Sequence, residues 1–192
     1  MSTSPRLQFV QNFLTQVLGL QPTVINRRNS TVFELYCYFK KVEWFVRRGK
    51  MVRINNVPRG IFRPNLGPNT PTAGSYISLT EAQTATFDLV LNGQFRGKSG
   101  ADHSPDITLI ERDSGLILSI YECKLHALHL NLRYCREFLG FLNELRIPNQ
   151  KYVSTTRDLY PELRSSIFTS ASKPPSAIQM QSKYDFDIVD RL

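Results

Sequence analysis

Apolar residues recur at the spacing of an α-helix in three segments of the chain. These segments are 6–18, a stretch from Ser30 or Thr31 to Arg48, and 128–146. Repeats of three and four residues place such side chains on one face of a helix. Each segment is followed by a residue that ends helices, namely Gly19, Gly49 and Pro148. The pattern therefore predicts three amphipathic helices.

Short apolar or alternating runs predict β-strands between and after these helices. They cover residues 51–55, 86–92, 106–112, 116–124, 151–155 and 184–189. Residues 56–80 are rich in Pro, Gly, Asn and Thr, and residues 165–182 are rich in Ser and Pro, so both are expected to be loops. This order of elements predicts an α/β fold in which helices flank a central mixed β-sheet.

Length and composition favour one domain over residues 1–192. With 41% hydrophobic residues, the chain can form one core. We expect 1–29 to be an N-terminal helical extension, 30–156 the core, and 157–192 a loop and a terminal strand. No segment is apolar enough to span a membrane, and the start of the chain lacks the layout of a secretion signal. Cys37, Cys123 and Cys135 are too scattered for a disulfide framework, so we expect an intracellular location.

Positive charge is concentrated in the first third of the chain. The formal net charge is +8, but residues 1–64 contain 11 basic and two acidic residues, against 13 basic and 14 acidic residues in the remainder. Positive charge on one side of a protein attracts polyanions such as nucleic acids, through phosphate contacts and counterion release. A solvated helix end and loop would have the same composition, and this alternative stays open.

The segment 104–126 carries the most specific candidate chemistry. Its two apolar runs are joined by Asp113-Ser114-Gly115, which suits a three-residue hairpin turn with Gly115 in the left-handed conformation. Such a turn pairs 112 with 116, 110 with 118, 108 with 120, and Asp106 with Glu122. Directly opposed residues have Cβ atoms about 5 Å apart. Two carboxylates at that distance repel each other unless positive charge lies between them.

A divalent cation and Lys124 both suit this position. Mg²⁺ binds one or two carboxylates, keeps several waters and accepts phosphate oxygens as ligands. Lys124 follows Glu122 by two residues, so both side chains lie on one face of the strand, and the ammonium can reach a metal-bound water or a phosphate. Cys123 is expected to face the core, and its backbone carbonyl is a further candidate ligand. Alternatively, Asp106, Glu122 and Lys124 are ordinary charged residues at strand ends.

Pro105-Asp106 followed by Glu122-Cys123-Lys124 resembles the PD-(D/E)xK motif of the restriction-endonuclease-like phosphodiesterase superfamily. In that superfamily the motif lies on a hairpin of a mixed sheet, with one helix before the sheet and another after the lysine. The predicted helices 30–48 and 128–146 match those positions. The resemblance covers residues 30–156 and implies a restriction-endonuclease-like α/β sandwich.

The resemblance implies a metal-dependent nuclease, an endonuclease or exonuclease, that hydrolyses phosphodiester bonds in DNA ahead of RNA. It implies Mg²⁺, with Mn²⁺ as a substitute, held by Asp106, Glu122 and the Cys123 carbonyl, while Lys124 orients or helps to deprotonate the attacking water. Many members add an acid from the preceding helix, for which Glu34 is the candidate. Thr31 and Glu34 also fit a capping box, in which the glutamate folds back onto the helix start.

Basic residues outside the motif are candidate contacts to a nucleic acid. They are Lys40, Lys41, Arg47, Arg48, Arg53, Arg96, Lys98, Arg133 and Arg136. Cleavage of both strands of a duplex requires two sites, so a homodimer or a partner subunit is a further expectation. A catalytically inactive nucleic-acid-binding protein, or a subunit of a larger nucleoprotein complex, would have the same fold and charge. A zinc-binding interaction module using Cys123, His126, His129 and Cys135 is another alternative, although no CxxC pair supports it.

Overall fold

The helices and strands lie in an order close to the predicted one. The computed structural model describes residues 4–22, 29–81, 85–126, 129–145, 164–184 and 186–192. The helices are α1 (Pro5–Asn12), which continues as a π-helical turn (Phe13–Val17), α2 (Asn29–Arg47), a 3₁₀ turn (Pro58–Gly60), α3 (Leu132–Glu144) and α4 (Pro175–Lys183). The strands are β1 (Gln21–Pro22), β2 (Met51–Asn55), β3 (Ile61–Phe62), β4 (Tyr76–Glu81), β5 (Ala85–Leu91), β6 (Phe95–Arg96), β7 (Asp102–His103), β8 (Ile107–Glu111), β9 (Ile117–Lys124), β10 (Ser166–Thr169) and β11 (Asp187–Val189). The first two predicted helices and the first four predicted strands are thereby confirmed.

Seven strands of the described chain form one mixed sheet, in the order β11-β10-β9-β8-β5-β4-β2. Neighbouring strands from β2 to β9 are antiparallel, whereas β10 and β11 run parallel to β9 and to each other. Two short pairs, β1 with β3 and β6 with β7, lie outside this sheet. The fold is therefore α/β with a mixed central sheet, as the sequence predicts.

Helices cover both faces of the sheet, because its side chains alternate between two buried apolar clusters. Tyr121 and Cys123 of β9 belong to the first cluster, together with residues of α1 and α2. Ile120 of the same strand belongs to the second cluster, with Phe138 of α3 and Ala177 of α4. Burial on both sides explains the nearly continuous apolar runs of the central strands. Within the described ranges, every helix falls short of the length or the apolar character that crossing a membrane requires.

Two segments that the sequence predicts as loops contain regular structure. β4 forms the end of 56–80, and β10 and α4 form most of 165–182. All four residues of β10 are buried, since the strand pairs with β9 on one side and β11 on the other. α4 begins with Pro175, at a position where the missing N–H of proline leaves no hydrogen bond unmade. Both loop predictions are therefore wrong over these elements, whose Ser, Thr and Pro content resembles that of a loop.

The predicted helix 128–146 and the predicted strand 184–189 are confirmed in their central parts. α3 begins later than predicted, because Asn131 caps it by accepting a hydrogen bond from the Arg133 N–H at 2.8 Å. β11 begins only after α4 has ended. The predicted strand 151–155 lies outside the described residues.

Tyr38 ties α2 to the sheet. Its side chain is fully buried, and its hydroxyl donates a hydrogen bond to the Leu89 carbonyl of β5 at 2.8 Å. We expect Tyr38→Phe to lower the free energy of unfolding by about 1 kcal/mol, since it removes one buried hydrogen bond and little apolar surface. Equilibrium denaturation in urea measures this change. Tyr184→Phe is the control, because Tyr184 is 41% exposed. An equal effect of both substitutions would contradict the role assigned to Tyr38.

Candidate active site

The start of β8 and the end of β9 meet at one end of the central sheet. Thr108 pairs with Ile120 in the antiparallel ladder between the two strands. The same register, continued by two residues, brings Asp106 opposite Glu122. The sequence predicts this register from the turn, and the pair formed by Thr108 and Ile120 confirms it.

The turn of this hairpin differs from the predicted turn. The Glu111 N–H donates a hydrogen bond to the Leu116 carbonyl at 2.9 Å, which closes a loop of four residues instead of three. Ile110 then faces Ile117, and a register shift leaves Leu118 as an extra residue of β9. The pairs predicted next to the turn, 110 with 118 and 112 with 116, are therefore wrong. The β-bulge at Leu118 supplies the one residue that restores the predicted register further along.

Asp106, Glu122 and Lys124 form one cluster of charges. The Lys124 ammonium lies 2.6 Å from Glu122 Oε2 and 4.0 Å from Asp106 Oδ2. The Cys123 N–H donates a hydrogen bond to Asp106 Oδ2 at 2.6 Å. The side chain of Glu122 is 7% exposed and that of Lys124 is 25% exposed. The three residues of the motif thus converge in space at a position largely withdrawn from water.

Burial raises the pKa values of both carboxyl groups of the cluster. Burial, followed by the charge of Asp106, raises the pKa of Glu122 to about 7, although Lys124 opposes the change. Burial also raises the pKa of Asp106, against the opposing effects of Lys124 and the Cys123 N–H. Burial acts to lower the pKa of Lys124, but Glu122 and Asp106 outweigh it and hold that pKa above its usual range. Lys124 is therefore a charged ammonium at neutral pH.

Glu34 of α2 lies in the electrostatic field of this cluster. Burial first and the charge of Asp106 second raise the pKa of Glu34 to about 7. A side-chain hydrogen bond with Asn92 and the charge of Lys124 oppose this change. Asn92 also donates its backbone N–H to the Asp106 carbonyl at 2.9 Å, so it links Glu34 to the motif on the side of the sheet that α2 covers.

The start of α2 excludes one of the two roles that the sequence leaves open for Glu34. A capping box requires Thr31 to be the residue that precedes the first helical turn. α2 begins at Asn29, so Thr31 already lies inside the helix. The capping-box interpretation is therefore wrong.

Asn92, which the sequence analysis does not single out, links several parts of the site. Its backbone N–H donates to the Asp106 carbonyl at 2.9 Å. Its side chain donates to the Asn65 carbonyl at 3.0 Å, and the Asn65 side chain donates back to the Asn92 carbonyl at 3.2 Å. The loop before β4 is thereby tied to the site. The only signal in the sequence is the dipeptide Asn92-Gly93, which predicts a turn and no chemistry.

The oxygen atoms of the charge cluster suit a hard divalent cation. Ionised carboxylates only accept hydrogen bonds, and Glu122 Oε1 is buried with no hydrogen-bond partner in the described part of the chain. A cation would satisfy this oxygen and relieve the repulsion from Asp106. Across the described ranges, no three His, Cys, Asp or Glu side chains are grouped to hold a metal ion. Two carboxylates therefore fit Mg²⁺, which keeps several waters, better than a metal enclosed by protein ligands alone.

The cysteines do not converge on a zinc site. Cys123 belongs to the apolar cluster next to α2, whereas Cys135 belongs to the cluster beneath α3 on the other face of the sheet. His129 Nδ1 lies 2.7 Å from Ser172 Oγ. The tetrahedral arrangement that zinc requires is therefore not formed by these residues. The Cys123 side chain faces the core as predicted, and its carbonyl stays a predicted ligand of Mg²⁺.

Tyr134 and His126 extend the site beyond the lysine. Lys124 Nζ lies 5.5 Å from the centre of the Tyr134 ring, and the His126 ring lies 4.9 Å from that same ring. The His126 backbone N–H donates to Ser170 Oγ at 3.1 Å. Burial and the charge of Lys124 lower the pKa of His126, so the imidazole is neutral at neutral pH. Tyr134 is not singled out by the sequence, because it lies inside a predicted amphipathic helix and belongs to no motif.

The basic residues predicted to contact nucleic acid lie on three parts of the surface. Lys40, Lys41 and Arg47 lie on α2, and Arg48 follows directly after its last residue. Arg53 is on β2, at the opposite edge of the sheet from β11. The β6–β7 hairpin carries Arg96, 3.3 Å from Asp102, and Lys98, 2.9 Å from Asn143. α3 carries Arg136 and also Arg133, which lies 2.6 Å from Glu137. The structure thus brings four of the nine together on the second half of α2 and the turn that follows it, and separates the rest.

We expect Glu34 to make the metal-free protein less stable as the pH rises from about 4.5 to about 7. A carboxyl group with a higher pKa in the folded state binds more protons there, so folding becomes less favourable as the pH rises through that interval. Glu34→Gln removes this effect. Relative to the unmodified protein, its free energy of unfolding should increase across the interval by about 1–2 kcal/mol, as measured by urea denaturation in the presence of a chelator.

Glu43→Gln on the same helix is the matched control, because Glu43 changes the stability with pH in the opposite direction. Burial acts to raise the pKa of Glu43, but Lys40 and Arg47 outweigh it and lower that pKa below 4.5. Its carboxylate therefore stabilises the fold above that pH and loses this effect as the pH falls. Glu43→Gln should lower stability at neutral pH and not in strong acid. Parallel pH profiles for the two variants would contradict the environment described for Glu34.

Comparison of the chain with models of protein families, with curated proteins and with solved structures gave no match. The function is therefore argued from the geometry and chemistry of the site.

Proposed function

We propose that the protein is a metal-dependent nuclease with a restriction-endonuclease-like fold, which hydrolyses phosphodiester bonds in DNA ahead of RNA. The convergence of Asp106, Glu122 and Lys124 carries the proposal. Glu122 and Lys124 lie 16 and 18 positions after Asp106 in the sequence. In the fold, the Lys124 ammonium lies 2.6 Å from the Glu122 carboxylate and 4.0 Å from that of Asp106. The mixed sheet flanked by helices supports the same conclusion, since it is the setting in which the motif occurs in that superfamily.

Asp106 and Glu122 are the residues that would hold Mg²⁺, with Mn²⁺ as a substitute. The Cys123 carbonyl and Glu34 stay predicted ligands, although the Glu34, Asp106 and Glu122 side chains are not grouped to hold one ion together in the described structure. When bound, such an ion polarises a phosphate and lowers the pKa of a bound water. The buried Oε1 of Glu122 and the repulsion between the carboxylates support a cation at this position.

Lys124 acts as a charged group that orients its neighbours. Its pKa lies above the usual range because Glu122 and Asp106 stabilise the ammonium more than burial disfavours it. A charged ammonium donates hydrogen bonds to a phosphate oxygen or to the attacking water, and it stabilises negative charge that develops on the phosphate. This favours the orienting role of Lys124 over removal of a proton from the water.

The nuclease proposal is tested by incubating plasmid and single-stranded DNA with the protein in Mg²⁺ or Mn²⁺. We expect cleavage that EDTA abolishes. Asp106→Ala and Lys124→Ala should each reduce the rate about 100-fold or more, because each removes a group that acts on the reacting phosphate or water. Asp113→Asn, in the exposed turn of the same hairpin, should leave the rate unchanged. Cleavage that survives both active-site substitutions would refute the assignment of the site.

A nucleic-acid-binding protein that does not cleave is the second candidate. The contact between Lys124 and Glu122 at 2.6 Å favours it, since the lysine neutralises the buried carboxylate without a metal. Binding that weakens with salt, together with the absence of cleavage in Mg²⁺ and Mn²⁺, would support this candidate against the nuclease.

A further inference from the structure

α2 and the β10–β11 edge of the sheet enclose a groove of about 720 Å³. Tyr36, Lys40 and Trp44 line its helix side, and Phe168 and Val189 line its sheet side. This volume falls in the range of roughly 300–1,000 Å³ that is usual for pockets that bind small molecules. The three motif residues are not among those that line it, so the groove is a second candidate site.

Positive charge dominates the walls of the groove. Five basic and two acidic side chains line it, which gives a net charge of +3: Lys40, Lys41, Arg47, Arg48 and Arg164 against Glu43 and Asp187. Glu43 lies 2.9 Å from Lys40 and 2.8 Å from Arg47, so one carboxylate faces two cations. The Arg47 side chain is 73% exposed. The excess of cations makes the groove complementary to an anionic ligand.

Aromatic rings are interleaved with these cations. The Arg48 guanidinium carbon lies 3.5 Å from the centre of the Trp44 ring, and Lys40 Nζ lies 5.8 Å from the centre of the Tyr36 ring. On the sheet side, Phe168 is 8% exposed and stacks on Tyr121, so the rings open to a ligand are those of the helix side. Bases stack on aromatic side chains while Lys and Arg contact the phosphates between them. A nucleotide chain would use both the rings and the cations, whereas an acidic peptide would use only the cations. The combination therefore favours a nucleotide chain as the ligand.

The bases of such a ligand must be unpaired. In a duplex, stacking covers the faces of each base, and bases become accessible only when they leave the stack. A single strand exposes these faces, and stacking accepts any base because every base has a π-face. A groove with rings along its helix wall is therefore suited to one strand and not to a duplex.

We propose that this groove binds a single-stranded segment of nucleic acid. The inference rests on the proposed function for the nature of the ligand, and it specifies the substrate as a nucleic acid with an unpaired stretch. α2 connects the two sites, since Glu34 and Trp44 are ten residues apart on it, which corresponds to about 15 Å along the helix. One strand can therefore occupy the groove while its continuation lies near the charge cluster.

Trp44 is the single tryptophan of the chain, so its fluorescence reports directly on the groove. Titration of the unmodified protein with oligo(dT) in EDTA should quench this fluorescence in a saturable manner, because a stacked base changes the environment of the ring. A duplex of mixed sequence should quench it less at equal nucleotide concentration. Equal quenching by duplex and single strand would overturn the proposal.

Two substitutions separate the contributions of ring and charge. Trp44→Leu should weaken binding of labelled oligo(dT) about tenfold, as measured by fluorescence anisotropy in EDTA, because one stacked base is lost. Arg47→Gln should weaken binding and also reduce its dependence on salt, because one phosphate contact is lost. Circular dichroism checks that both variants fold. If Trp44→Leu does not fold, Arg47→Gln and the quenching of the unmodified protein decide the question.

Lys183 and Tyr184 provide matched controls outside the groove. Lys183 Nζ lies 5.4 Å from the centre of the Tyr184 ring at the end of α4, so the pair resembles the cation and ring pairs of α2. Lys183→Gln and Tyr184→Leu should leave oligo(dT) binding unchanged. Equal losses in these controls and in the groove variants would overturn the proposal, as would unchanged binding in both groove variants. Displacement of oligo(dT) by dTMP at comparable concentration would also overturn it, in favour of a site for a free nucleotide.

The two proposals fail in different ways. Binding is measured in EDTA, where no divalent-dependent cleavage takes place. Groove binding without cleavage in Mg²⁺ would refute the nuclease and leave the groove assignment in place. Cleavage by a protein whose groove variants bind single strands normally would refute the groove assignment and leave the nuclease in place.

Discussion

The burial of carboxylates around one ammonium is the constraint on which the candidate site depends. Each buried charge is unfavourable unless a partner offsets it, and here one lysine lies between Glu122 and Asp106. The remaining compensation comes from the backbone N–H of Cys123 and from Asn92, which hydrogen-bonds Glu34. These partners come from β9 and from the residue that follows β5, so the site requires the part of the sheet from β5 to β9 to be assembled.

α2 connects the two regions that we associate with nucleic acid. Its first turns bring Glu34 to the charge cluster, and its later turns form one wall of the basic groove. Tyr38, between these two parts, fixes the helix to β5 through its buried hydroxyl. The orientation of a bound strand relative to the motif would therefore be set by one rigid helix, and no flexible connection between separate domains is required.

The sequence predicts the elements whose signals are local and misses those that depend on distant partners. The charge cluster could be predicted because Asp106, Glu122 and Lys124 lie on one hairpin, where alternation fixes the faces. β10 could not, because Ser166 and Thr169 resemble loop residues until β9 and β11 bury them. β4 and α4 could not be predicted for the same reason, because their segments have the composition of loops. The role of Asn92 depends on contacts with α2, β8 and the loop before β4, which no pattern within one segment contains.

The bulge at Leu118 makes the hairpin tolerant of changes in the length of its turn. A three-residue turn without a bulge and a four-residue turn with one bulge lead to the same pairing of Thr108 with Ile120. An inserted or deleted residue in the exposed turn can therefore be absorbed by the gain or loss of a bulge before it reaches the charged end of the strands. The length of the turn can therefore change while the two carboxylates stay opposite each other.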